Sequence, residues 1–151
     1  MAERPSVNKA VPAGRLLVIG LGLIGGSLAL AARQRHLFSE VIGASRSPTT
    51  LQKALEMGVV DRVESDLPTA LAAMGAGDIV VVGVPTLTVP RIIAQLQKHL
   101  PEEVSFTDVA SVKGSIVSAV KDIYSSVPPQ FVPGHPIAGS EKSGVAASLP
   151  D

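Results

Sequence analysis

The chain has 151 residues, a formal net charge of zero and no cysteine, which gives no support for nucleic acid or an acidic membrane surface as a partner and excludes a disulfide framework. Apolar residues at 46% against 17% charged describe a globular chain, of a length suited to one domain with a sizeable core. Aromatics are only 3%, so Val, Ile, Leu and Ala must fill that core, which suits a parallel sheet covered by helices.

Residues 1–14 contain Glu3 and Pro5 and lack an apolar centre, so they read as a flexible tail rather than a secretory signal. No run approaches transmembrane length, and a cytoplasmic protein is expected. Residues 15–151 form the expected domain. Arg15 to Ile19 is the first strand. It runs into Gly20-Leu21-Gly22-Leu23-Ile24-Gly25, a Gly-x-Gly-x-x-Gly spacing, and a helix expected over residues 23–35. Strand before and helix after are the context in which that spacing binds a dinucleotide. Gly20 permits the turn, Gly22 lets backbone approach a pyrophosphate, and Gly25 lets helix and strand pack closely. The helix N-terminus offers N–H groups to phosphate. A tight turn with no ligand is the alternative.

Val41 to Ala44 is the second strand, and Ser47-Pro48 opens a helix that Gly58 ends. Residues 59–63 make a weak third strand and residues 68–74 a short helix. Asp78 to Val84 is the clearest strand, apolar on both faces as a central parallel strand should be. Pro90 suits the first turn of a helix reaching Leu100. Residues 104–109 are a fifth strand, residues 112–124 a helix with Ile116, Val117, Val120 and Ile123 inward, and residues 130–132 a last strand. His36 and His99 lie at helix C-termini, where a cation is favoured, and read as structural. Strand and helix alternate, so the expected class is α/β: a doubly wound parallel sheet of the Rossmann type, with strand order 3-2-1-4-5-6.

NAD-binding domains place an acid about 20 positions after the glycines, on the ribose 2′-OH. Here the second strand ends in Ala44-Ser45-Arg46-Ser47, with no acid. Arg46 offers a planar charged fork to a 2′-phosphate, and Ser45 and Ser47 add hydroxyls. An ordinary surface arginine beside a capping serine is the alternative. The missing acid favours NADP, with NAD as the lesser choice. Gly20, Gly22, Leu23, Ile24 and Gly25 in the turn, and Val84, Pro85 and Thr86 after the fourth strand, complete the candidate cofactor contacts.

Ligands of open α/β sheets bind beyond the carboxyl ends of the strands. Ser111 lies there after the fifth strand and is either a helix cap or a site residue. Lys113 would oppose the dipole in a first helical turn, so it needs another reason or is solvated. His135, between Gly134 and Pro136, is a general base or a hydrogen-bonded structural histidine. Histidine spacing gives no metal site, and no Gly-x-Ser-x-Gly elbow supports a hydrolase.

Residues 20–27, Thr107-Asp108-Val109-Ala110-Ser111-Val112-Lys113-Gly114, and Gly134-His135-Pro136-Ile137-Ala138-Gly139-Ser140-Glu141-Lys142-Ser143-Gly144 together resemble, in order, the prephenate/arogenate dehydrogenase family. The resemblance implies oxidative decarboxylation of a cyclohexadienyl substrate. Hydride passes from the carbon bearing the ring hydroxyl to the nicotinamide, the hydroxyl loses its proton, and carbon dioxide leaves as the ring becomes aromatic. Prephenate would give 4-hydroxyphenylpyruvate and arogenate would give tyrosine. The resemblance makes His135 the group that assists hydroxyl deprotonation and Ser111 the group that positions the same hydroxyl. It places Glu141 near the site entrance, with a solvated loop charge as the alternative. The Ser45-Arg46-Ser47 run is similar to that of NADP-using members.

Family members continue into a helical second domain that supplies a dimer interface and an arginine for substrate carboxylate. No arginine follows Arg91 here, and only Lys113 and Lys142 are cations near the proposed site. The chain is therefore expected to be the cofactor-binding part, homodimeric only with that second domain. A non-catalytic dinucleotide-binding module, or a 3-hydroxy acid dehydrogenase, are the alternatives.

Overall fold

A computed structural model describes residues 13–134. His135, Glu141 and Lys142 lie outside the described residues. Six strands form one parallel sheet: β1 (Ala13–Ile19), β2 (Phe38–Ala44), β3 (Arg62–Glu64), β4 (Ile79–Val82), β5 (Ser105–Asp108) and β6 (Phe131–Val132). Their spatial order is β3-β2-β1-β4-β5-β6, the doubly wound order expected from the alternation of elements. Register is tight at the centre, where Leu17 pairs with Ile42 on one side and Val80 on the other.

Successive residues of a strand face opposite sides of the sheet, and the core divides accordingly. Leu16 and Val18 of β1 join Val41 and Val81 on one side, under Ala29 and Ala32 of α1 (Leu23–Gln34) and Leu51 and Ala54 of α2 (Pro48–Glu56). Leu17 and Ile19 join Val80, Val82 and Phe106 on the other. That side is covered by α3 (Leu67–Ala72), α4 (Val89–His99) and α5 (Lys113–Tyr124). Burial on both faces is why these strands read as continuous apolar runs.

Several boundaries differ from expectation. β1 begins at Ala13, inside the segment read as tail, because the Ala13 N–H donates to the Leu37 carbonyl at 3.0 Å. β3 starts at Arg62 rather than residue 59. Val59 and Val60 are buried core instead, and the Asp61 side chain continues the pairing by accepting from Val41 N at 2.8 Å. Asp78 stays outside β4 because its carboxylate turns back to accept from the N–H of Gly75 at 2.8 Å. Among the described residues no helix is long and apolar enough to cross a membrane.

Candidate functional site

The β1–α1 turn is shaped by backbone contact. Gly20 has φ +89°, and a Cβ there would lie 2.8 Å from the backbone of Gly83. A Cβ on Gly25 would lie 2.1 Å from the Gly20 carbonyl oxygen, so only glycine lets α1 start this close to β1. Gly22, by contrast, faces open space within 4 Å. It is the N-cap of α1, with no side-chain cap and no acid in the first turn. That leaves the positive end of a 12-residue helix directed at a surface with room for an anion.

Hydrogen bonds align the carboxyl ends of the central strands around this turn. Gly20 N donates to Ala44 O at 2.9 Å, Gly83 N to Ile19 O at 2.7 Å, and Val109 N to Val82 O at 3.2 Å. The chain order reverses between β1 and β4, so helices leave to opposite sides and a crevice opens there. It is a cleft of about 960 Å³. Its walls include the whole turn from Gly20 to Ile24, Ser45, Arg46 and Ser47 after β2, Val84, Pro85 and Thr86 after β4, and Ser111 after β5. Candidate cofactor residues from three separate segments thus share one cavity with Ser111. Gly25 lies behind the turn and shapes it without lining the cleft.

At the β2 end, Ser45 Oγ accepts from Ser47 N at 3.1 Å, and Ser47 Oγ accepts from Thr50 N at 3.2 Å as the cap of α2. Both hydroxyls therefore order the loop that presents Arg46, which is exposed. No acid directly follows β2 in the chain, but β3 brings one alongside. Glu64 pairs in register with Ala44 and lines the same cleft. Its carboxylate accepts from Asp66 N at 3.2 Å and stands 4.0 Å from the Arg62 guanidinium. The cleft is also walled by Leu67 and by Arg91, Ile92 and Gln95 of α4, which are not among the candidate residues of the sequence. Arg91 and Gln95 are four apart on one helical face, the spacing by which they were legible.

At the other end the structure decides between readings that the sequence leaves open. Ser111 does not cap α5: the N-cap is Val112, with no side-chain cap, and Ser111 is exposed on the cleft wall. Lys113 is not a spare cation for substrate, because its ammonium is ion-paired with Asp108, which is fully buried. The carboxylate offsets the unfavourable helix-dipole position that singled Lys113 out. Among the described residues no group of three His, Asp or Glu is placed to hold a metal.

Comparison with known proteins agrees with this geometry. The family described as prephenate dehydrogenase, nucleotide-binding domain, matches residues 28–151. Prephenate dehydrogenase of Lactococcus lactis is 34% identical over 135 residues, covering 89% of this chain and 37% of that protein. The enzyme of the same name from Bacillus subtilis is 36% identical, covering 88% of this chain and 35% of that protein. Among solved structures, A. aeolicus prephenate dehydrogenase in complex with hydroxyphenyl propionate and NAD+ superposes with a TM-score of 0.82 at 32% identity. It covers 93% of this chain and 48% of that one. Synechocystis arogenate dehydrogenase gives 0.75 at 34% identity, over 89% of this chain and 45% of that one. The chain spans a little over a third of the length of these two curated relatives. With fold, crevice and sequence in agreement, the chain belongs to the prephenate dehydrogenase nucleotide-binding domain family.

Proposed function

We propose that this chain is the cofactor-binding domain of an NADP-dependent prephenate or arogenate dehydrogenase. The observation that carries the proposal is the single cleft, with the glycine turn at its centre, Arg46 at one end and Ser111 at the other. That arrangement fits an extended dinucleotide. Backbone N–H groups of the α1 N-terminus would hold the pyrophosphate, Arg46 with Ser45 and Ser47 would hold the adenosine ribose and its phosphate, and Val84 to Thr86 would flank the route towards Ser111. When bound, the nicotinamide supplies the hydride acceptor. Ser111 orients the ring hydroxyl of the substrate, and His135 takes its proton as the ring carboxylate leaves. Glu141 and Lys142 stand as further substrate contacts on the sequence pattern alone. Substrate carboxylates need cations, and the pairing of Lys113 with Asp108 leaves that task to other residues.

One observation favours a second reading of the cofactor. Glu64 lines the cleft beside Ala44, where an acid suits the ribose hydroxyls of NAD. Arg46 stands against it, since the Glu64 carboxylate is engaged by the Asp66 N–H and lies 4.0 Å from Arg62, whose close partner is Glu40.

Calorimetric titration of NADP and NAD tests the cofactor, and turnover of prephenate and arogenate by the full-length protein tests the reaction. Tighter binding of NADP and turnover of at least one substrate are the expected results. Cofactor binding without turnover of either would favour a non-catalytic module. Turnover of a 3-hydroxy acid instead would move the chain to another dehydrogenase reaction.

A further inference from the structure

Two acidic side chains are buried among the described residues, Asp78 and Asp108. Each serves two backbone N–H groups and one cation. Asp78, before β4, accepts from Arg15 N at 2.6 Å and Gly75 N at 2.8 Å, and pairs with the Arg15 guanidinium at 2.8 Å. It ties β1 to the turn ahead of β4, at the amino ends of these central strands, away from the cleft. Asp108 is the last residue of β5, at the carboxyl ends of the strands, where the cleft opens. It accepts from Ala110 N at 3.0 Å and Gly134 N at 3.5 Å, and pairs with Lys113.

The two N–H groups on Asp108 belong to the immediate chain neighbours of the proposed reacting residues. Ala110 precedes Ser111, and Gly134 precedes His135. The approach is close: a Cβ on Gly134 would lie 2.5 Å from the Asp108 carbonyl oxygen and 3.0 Å from Thr107 Oγ1. One carboxylate thus fastens the loop that carries Ser111 to the strand end that leads to His135. Lys113 compensates the negative charge that the fastening buries.

We propose that Asp108 is a positioning residue for the dehydrogenase reaction, holding the Ser111 loop against Gly134, the residue that precedes His135 in the chain. Its effect on turnover rests on the function proposed above, while its effect on the loops does not. Asparagine offers one acceptor oxygen and turns an N–H towards groups that are themselves donors, so it cannot serve Ala110, Gly134 and Lys113 together. Misplacement of reacting groups by about 1 Å is worth on the order of 100-fold in rate.

The test compares Asp108→Asn with Asp78→Asn in the full-length protein. Both are expected to lower the thermal midpoint. Only Asp108→Asn is expected to reduce kcat, by about 100-fold, with the KM for NADP unchanged. Asp108→Glu keeps the charge opposite Lys113 but moves it by one methylene. It should show the same split between kcat and KM, and decides the matter if the asparagine variant does not fold. A folded Asp108 variant with wild-type kcat, or an equal loss of kcat in Asp78→Asn, would overturn the proposal. Should the wild type turn over neither prephenate nor arogenate, the functional reading fails on its own. Hydrogen exchange then judges the fastening: the Ala110 and Gly134 amides should be protected in the wild type and released together in Asp108→Asn, and protection kept in the variant would overturn it.

Discussion

At the scale of single residues, the end of the cleft proposed for the adenosine carries two opposed charges. Arg46 is exposed on a loop ordered by Ser45 and Ser47, and Glu64 enters from the neighbouring strand. A charge-assisted bidentate contact is worth about 1.5–3 kcal/mol, so Arg46→Asp should weaken NADP binding by roughly 10- to 100-fold and move preference towards NAD. Glu64→Gln should act in the other direction, tightening NADP. Paired NADP and NAD titrations of both variants read the outcome, and an unchanged affinity ratio in Arg46→Asp would remove the arginine from cofactor choice. His135 is argued from the sequence pattern and the family. In a full-length enzyme His135→Asn should keep cofactor affinity and lose about 10²–10⁴ in kcat, the usual worth of a general base.

At the scale of elements, several strand ends are fastened by side chains as well as by the sheet. Burial raises the pKa of Asp78, but the N–H groups of Arg15 and Gly75 and the Arg15 guanidinium outweigh it and hold the carboxyl below its ordinary 3.8. The folded state therefore binds this proton less readily than the unfolded chain. The stabilisation is present above about pH 4 and is lost as pH falls through the lowered value. Thermal midpoints measured on acidification should fall in that window, and Asp78→Asn should flatten the fall. These fastenings also mark what could be read from the sequence. The strand order, the Ser47 cap and the glycine turn follow from local patterns of apolar period, capping residue and close backbone approach. The β3 boundary did not, because Val59 and Val60 are apolar for packing beneath α2 rather than for pairing. Nor did the partner of Lys113: a cation opposing a helix dipole announces that something compensates it, but only the folded β5–α5 turn brings Asp108 there. Glu64 escaped because a neighbouring strand, not the chain after β2, delivers it.

At the scale of the molecule, the sheet supplies one continuous cleft, while this chain spans 35% to 37% of the length of the two curated relatives compared. Cofactor binding needs only the described residues, whereas the proposed reaction also needs His135, which lies outside them. The 151-residue chain is therefore expected to bind NADP by itself. Binding selective for the folded state also stabilises it, by about 2.7 kcal/mol at a ligand concentration 100 times the Kd, so the thermal midpoint should rise with NADP. The means to watch such changes is built into the α5 side of the core. The chain has one tyrosine and no tryptophan. Tyr124 stacks on Phe106 with ring centroids 5.9 Å apart, its hydroxyl is buried without a partner, and burial pushes its pKa up to about 12. An ordinary phenol in the unfolded chain ionises near 10. Stability should therefore decline as pH climbs from 10 towards 12. Phenolate absorbance appearing before the helical circular dichroism is lost would show that α5 opens locally. Simultaneous loss would make this one ring an optical gauge of the whole fold, readable without any label.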